Sequence, residues 1–185
     1  AYIEPHLDTS VKVFDAATNG FIESADVEGD GFEEIIVCNS THLAMLSVED
    51  NSTIWIVQLN MTIKQMIVGE YRYAGAYAIA VSNWENVSIF NTNGVEIYHK
   101  QFGDLSQEYM ITQTHFGDFD GDGEGELIVV TNGGTWLVDN NEATPHIDAQ
   151  GIVYTITGDF DGDGATDIAY KFLQVGYLYV IKGDA

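Results

Sequence analysis

The chain has 185 residues, 45% of them hydrophobic and 12% aromatic, enough for one domain with a packed core and too apolar for a disordered acidic tail. Asp and Glu number 29 against 6 Lys and Arg, a formal charge of -23, which argues against nucleic acid and against docking on anionic lipid. No apolar run is long enough to insert into a membrane, and the single cysteine, Cys38, excludes a disulfide framework and reads as a small buried strand residue.

In chain order the segments read as short strands. The stretch Ser10–Ala17 ("SVKVFDAA") is a strand without a unit of its own. Next come "GFIESADV", "EEIIVCN", "HLAMLSV" and "TIWIVQL", then "IKQMIVG", "YAIAVSN", "VSIFNT" and "VEIYHKQF". A third group holds "YMITQTHFG", "ELIVVTN" and "GTWLVDNN", and a fourth holds "IVYTITG", "TDIAYKF" and "GYLYVIKG". Each is an alternating or short apolar run bounded by turn residues. Asn93-Gly94 and Asn132-Gly133 favour tight hairpins. No window shows helical apolar spacing with caps, and no Pro/Gly-rich linker divides the chain.

An acidic motif recurs three times: "ADVEGDGFEEIIV" from Ala25, "GDFDGDGEGELIVV" from Gly117 and "GDFDGDGATDIAY" from Gly158. The distance between the first two leaves room for two units, and "GEYRYAGAYAIAV" from Gly69 reads as a degenerate copy, one residue shorter and without the ion. The expected organisation is a single repeat domain over 1–185, with units near 18–62, 63–103, 104–149 and 150–185. Four-stranded units at this period predict an all-β fold, a β-propeller of about four blades. It is either a closed four-bladed ring, with strand 10–17 completing the last blade, or part of a larger propeller. In the second case it is completed by further blades or by another copy in a homodimer.

In the third loop Asp118, Asp120 and Asp122 alternate around Gly121 and Gly123, the Glu124 carbonyl follows, and Glu126 closes the set. Six or seven oxygens in this pattern suit Ca²⁺, which accepts flexible coordination; Mg²⁺ demands a stricter octahedron, and zinc prefers nitrogen and sulfur. The first loop supplies Asp26, Glu28, Asp30, the Phe32 carbonyl and Glu34, with the longer Glu28 predicting weaker binding. The fourth supplies Asp159, Asp161, Asp163, the Ala165 carbonyl and Asp167. About three calcium ions are therefore expected. An EF-hand is excluded, because its twelfth position needs Glu and here holds Val37, Val129 or Tyr170, between strands rather than helices.

The three motifs resemble the FG-GAP (VCBS-type) repeats of integrin-like β-propellers. The Gly-Ala-Pro stretch of that family is absent, and "VCNS", "VSNW" and "VTNG" stand where it would fall. The resemblance implies a calcium-binding loop between adjacent strands of a blade. It also implies an extracellular or cell-surface module for adhesion or for binding a protein or other ligand, with calcium in a structural role. Some relatives are lectins or parts of polysaccharide-degrading enzymes, so a glycan-binding or accessory role stands as the alternative. Four sequons, at Asn39, Asn51, Asn60 and Asn86, lean toward an exported protein.

No metalloprotease, serine-hydrolase or Walker motif is present, and the five histidines are scattered. The expectation is a non-catalytic protein, with a calcium-using polysaccharide lyase as a lesser alternative. Trp55, Trp84 and Trp136 are expected to pack between blades, Trp84 being the best candidate for an exposed stacking surface.

Overall fold

A computed structural model describes residues 20–50, 52–104, 109–147, 152–172 and 176–183. It contains fifteen strands: β1 (Phe21–Ala25), β2 (Glu34–Cys38), β3 (His42–Leu46), β4 (Thr53–Gln58), β5 (Gln65–Glu70), β6 (Tyr77–Ser82), β7 (Asn86–Asn91), β8 (Glu96–Gln101), β9 (Ile111–Gly117), β10 (Glu126–Thr131), β11 (Gly134–Asp139), β12 (Glu142–Ile147), β13 (Ile152–Gly158), β14 (Asp167–Phe172) and β15 (Leu178–Ile181). They form antiparallel meanders β1–β4, β5–β8, β9–β12 and the three-stranded β13–β15. These are the blades of an all-β propeller. The predicted strand 10–17 lies outside the described residues.

The first strands of successive blades sit side by side, β1 against β5, β5 against β9 and β9 against β13. No comparable contact joins β13 to β1 among the described residues, so the described blades form an arc in which no ring closure is seen. Three apolar layers fill the junctions. Ile36, Cys38 and Met45 meet Met66, Ile79 and Val81 between the first two blades. Ala80, Val87 and Ile89 meet Leu127, Val129 and Val138 at the next. Ile128 and Val130 meet Ile168 and Tyr170 at the last. Each fully buried aliphatic side chain contributes roughly 1.5–3 kcal/mol, so these layers hold the arc together.

The junctions also repeat a polar contact. Gln65 and Gln113 occupy the same position, four residues before Gly69 and Gly117. The Gln65 Nε2 donates to the Thr114 carbonyl at 3.3 Å, and the Gln113 Nε2 to the Thr155 carbonyl at 3.4 Å. Gln113 Oε1 also accepts from the Thr155 N–H at 2.6 Å and from its hydroxyl at 2.8 Å. Each glutamine thus ties the first strand of one blade to the next.

Two sequence expectations need correction. The turn after β5 is not shorter than the others: Gly69 pairs with Ala78 across the same interval that separates Gly117 from Glu126. The irregularity of the third unit lies at the far end of this pairing, where Val130 pairs with Gln113 and Thr131 with Ile111, leaving Thr112 of β9 unpaired. Strand β12 was also not expected, because Pro145 interrupts its pattern; it forms an edge strand, where proline is tolerated. Asn140 and Asn141, both at positive φ (45° and 68°), make the two-residue turn that leads into it. Trp55 and Trp136 pack into the junction layers, while Trp84 is 44% exposed.

Candidate metal centre

The acidic loops connect the first and second strands of their blades, all along one rim. In the third, β9 ends at Gly117 and β10 begins at Glu126. Between them Gly121 (φ 74°) and Gly123 (φ 84°) coil the backbone through a region that residues with a Cβ disfavour. Asp118 caps the coil, its two oxygens accepting from the Gly121 N–H at 2.8 Å and the Gly123 N–H at 3.0 Å. Asp122 accepts from the Glu124 N–H at 2.8 Å. Phe119 points inward and is buried between the third and fourth blades.

This coil brings Asp118, Asp120, Asp122 and Glu126 together, each offering one oxygen within 4.8 Å of the others. Glu126 is fully buried. Its Oε2 accepts from the Phe119 N–H at 2.8 Å, but its Oε1 is buried with no partner. Burial drives the Glu126 pKa up to about 8, the Phe119 N–H opposes the shift, and repulsion from Asp120, Asp118 and Asp122 adds to it. Asp120 is also raised, chiefly by burial. A buried carboxyl with an unpartnered oxygen, grouped with three converging carboxylates, is an arrangement that could hold a cation. The donors are all oxygen, which fits calcium.

The fourth loop repeats the scheme with less room for an ion. Asp159 caps Gly162 and Gly164, at 2.6 and 3.1 Å. Asp159, Asp161 and Asp167 converge. Asp163 is outside that group, its Oδ1 accepting from the Ala165 N–H at 3.0 Å. Both oxygens of Asp167 are engaged, by the Phe160 N–H at 2.8 Å and the Gly183 N–H at 2.9 Å. Lys182 pairs with Asp161 and holds its carboxyl below the usual range. Lys182 was not anticipated: it lies on the segment after β15, and nothing in its own neighbourhood of the sequence marks it.

In the first loop Asp26 caps Asp30 and Gly31, at 3.0 and 2.9 Å, and Glu34 accepts from the Val27 N–H at 3.1 Å. Asp30 accepts from the Phe32 N–H at 2.9 Å. The backbone scheme matches the other two, yet Asp26, Glu28, Asp30 and Glu34 do not converge as a group. The second loop has Ala78 where the others have the ninth-position acid. Its Tyr71 N–H therefore bonds to the Ala76 carbonyl, at 2.8 Å. Arg72, at φ 72°, donates its N–H to the Gly125 carbonyl at 2.6 Å and so links the second loop to the third. The carbonyl-bearing residues differ in setting: Phe32 and Glu124 lie at or near the surface, whereas Ala165 is buried.

A cleft of about 460 Å³ opens beside the third loop, between the first strands of the second and third blades. Glu70, His115, Asp118 and Glu124 line it. His115 bonds through Nε2 to the Thr155 hydroxyl at 2.7 Å, and burial lowers its pKa.

No family model matches the chain, and no curated protein matches it. Solved propellers do. The structure of BBS1N in complex with ARL6DN superposes with a TM-score of 0.62 at 16% identity, over 89% of this chain and 50% of that one. The β-propeller domain of Myceliophteria thermophila Cps50 (Swd1) gives 0.53 at 8% identity, over 88% and 54%. The WD40 domain of fission-yeast SCAP gives 0.54 at 15% identity, over 90% and 46%. The chain thus spans about half the length of the propellers it matches.

Proposed function

We propose that the chain is a calcium-stabilised propeller segment of the FG-GAP/VCBS type, working outside the cell or at its surface as a module that binds a protein or another ligand in adhesion. The observation that carries this reading is the convergence of Asp118, Asp120 and Asp122 with the fully buried Glu126, whose Oε1 has no hydrogen-bond partner. In the metal-free protein that arrangement concentrates repulsion; a bound divalent cation removes it. Asp118, Asp120, Asp122 and Glu126 would hold calcium in the third loop, and Asp159, Asp161 and Asp167 in the fourth. The first loop takes the ion more weakly. Calcium supplies no reaction in this reading. It locks the turn between the first two strands of a blade.

Protein binding is favoured because propellers offer a rigid rim of loops, and one structural neighbour is a complex with a protein, ARL6DN. The exposed Trp84 supports glycan binding less well, since the Lys64 ammonium lies over its ring, 5.5 Å from the centroid. Titration calorimetry with Ca²⁺ tests the metal reading: uptake at about 10⁻⁴–10⁻³ M, the range of extracellular modules, is expected for the chain and is weakened by Asp120→Asn. Absence of uptake at millimolar calcium sinks it. Binding to intact cells and to a glycan array, each with calcium and with chelator, separates adhesion from lectin activity.

A further inference from the structure

The fourth loop differs from the others in what reaches it from its own blade. In an antiparallel meander the segment after the third strand lies on the same rim as the acidic loop. After β3, Ser47, Glu49, Asp50 and Ser52 bond among themselves. After β11, the Asn141 N–H donates to the Tyr71 hydroxyl of the second loop at 3.4 Å, and that hydroxyl donates to the Asn141 Oδ1 at 3.3 Å. After β15, Lys182 and Gly183 fold instead onto the loop of their own blade. The Lys182 Nζ donates to the Asp161 Oδ2, at the third position of the loop. The Gly183 N–H donates to the Asp167 Oδ1 at 2.9 Å, at the ninth. Gly183 is buried there, and a Cβ on it would lie 2.8 Å from that of Ala165.

The ninth position shows the consequence. Glu126 Oε1 has no partner, whereas both oxygens of Asp167 have one. Among the described residues no lysine or arginine pairs with an acid of the first or third loop. In the fourth, an ammonium and a backbone N–H occupy two of the three carboxylates that would meet a metal. They offset the repulsion within the loop without any ion.

We propose that the segment after β15 is a latch, closed by Lys182 and opened by calcium. The inference rests on the calcium reading of the loops. Asp161 and Asp167 belong to the converging set, so the ion and the latch draw on the same two carboxylates. A divalent ion on Asp161 repels the ammonium. The pair it breaks is exposed, with 68% of the Lys182 side chain accessible, and exposed pairs are weak. The flexible lysine stem carries its charge into solvent. Entry of the ion frees Lys182, and the Gly183 N–H loses its acceptor as Asp167 engages the metal. Strand β15 stays on β14 through their ladder and through Tyr179, stacked on Tyr170 at 5.5 Å between centroids. Its rim end alone is released. Calcium therefore orders the third loop and loosens the segment beside the fourth, so the last blade presents a different rim with and without the ion.

The test follows hydrogen exchange and lysine acetylation in the full chain at constant ionic strength, with calcium added or chelated. Exchange within each loop reports which of them takes the ion. Calcium is expected to slow exchange in both loops and to speed it several-fold at Gly183. Acetylation of Lys182 should rise several-fold, while that of Lys64, Lys100 and Lys171 stays level. Lys182→Gln should tighten uptake by the fourth loop several-fold and leave the third unchanged; Lys182→Arg, which keeps the charge, should not tighten it. Protection of both loops with Lys182 and Gly183 unaltered overturns the latch and leaves the calcium reading intact, as does equal uptake by wild type and Lys182→Gln. Protection of the third loop alone makes Lys182 a permanent substitute for the ion and also overturns the latch. Protection of neither loop overturns the calcium reading, and the latch with it.

Discussion

Glu126 concentrates the physics of the acidic loop in one side chain. In the metal-free protein its carboxyl keeps a proton up to about pH 8, against an ordinary value of 4.5. Between those values the folded state binds more protons than the unfolded chain, so stability falls as pH rises from about 5 to about 8. Glu126→Gln keeps an oxygen for the Phe119 N–H and removes the charge. Metal-free melting of that variant is expected to be higher than wild type at pH 8 and to lose this part of the pH dependence, while its calcium uptake weakens. A variant that melts lower at pH 8, or keeps the full slope, contradicts the assignment. Calcium selects the ionised carboxyl, so wild type at pH 6.5 should release a proton on uptake, seen as a heat that depends on the buffer. A second residue acts through its lack of a side chain. A Cβ at Gly125 would lie 2.4 Å from the Glu70 carbonyl oxygen, which belongs to backbone and cannot swing aside. Gly125→Ala is expected to cost about 1–3 kcal/mol in denaturant melts, by forcing the second and third loops apart.

The strands are held in blades by ladders and in the arc by what crosses between first strands. Gln113 makes three of those crossings, all to Thr155. Gln113→Ala leaves the buried Thr155 N–H without its acceptor, and a loss of about 1–3 kcal/mol is expected. A loss under about 0.5 kcal/mol would mean that the apolar layers alone carry the junction. At this scale the sequence was readable wherever period and punctuation agreed. The run "ELIVVTN" between turn residues became β10, buried on both faces, and "VSIFNT" became β7. What escaped reading had a physical cause each time. Pro145 hides β12 because a proline argues against a strand unless the strand is known to be an edge. The length of the second turn was misjudged because without its acids the stretch offers no fixed point for alignment; only the pairing of Gly69 with Ala78 shows that the interval is the same. The convergence of Asp118, Asp120, Asp122 and Glu126 in the third loop was legible from spacing, since paired glycines oblige the chain to coil. Lys182 was not, because only the fold carries it from beyond β15 to Asp161. Nor does spacing distinguish the first loop, whose capping bonds match the third but whose carboxylates stay apart.

At the scale of the whole molecule, stability is a contest between apolar layers and a charge of -23. Monovalent salt relieves that charge wherever it sits, whereas calcium relieves it only where carboxylates converge. Separating the two effects requires melting the metal-free chain at constant ionic strength, with calcium or magnesium added in turn. A cation that binds only the folded form stabilises it by about 1.4 kcal/mol per site at ten times Kd. The third and fourth loops together would then contribute about 3 kcal/mol. For a chain of this size each kcal/mol shifts Tm by about 2–4 °C, so calcium should raise Tm by about 6–12 °C and magnesium by clearly less. Lys182→Gln removes the internal cation that competes at Asp161 and should increase the fourth loop's share of the rise. Because Lys182 also neutralises Asp161 in the metal-free state, the same variant should start from a lower Tm without calcium. Equal shifts from calcium and magnesium at matched ionic strength would mean that the loops act only as a diffuse acidic rim. The convergence of Asp118, Asp120, Asp122 and Glu126 would then have no metal to explain it.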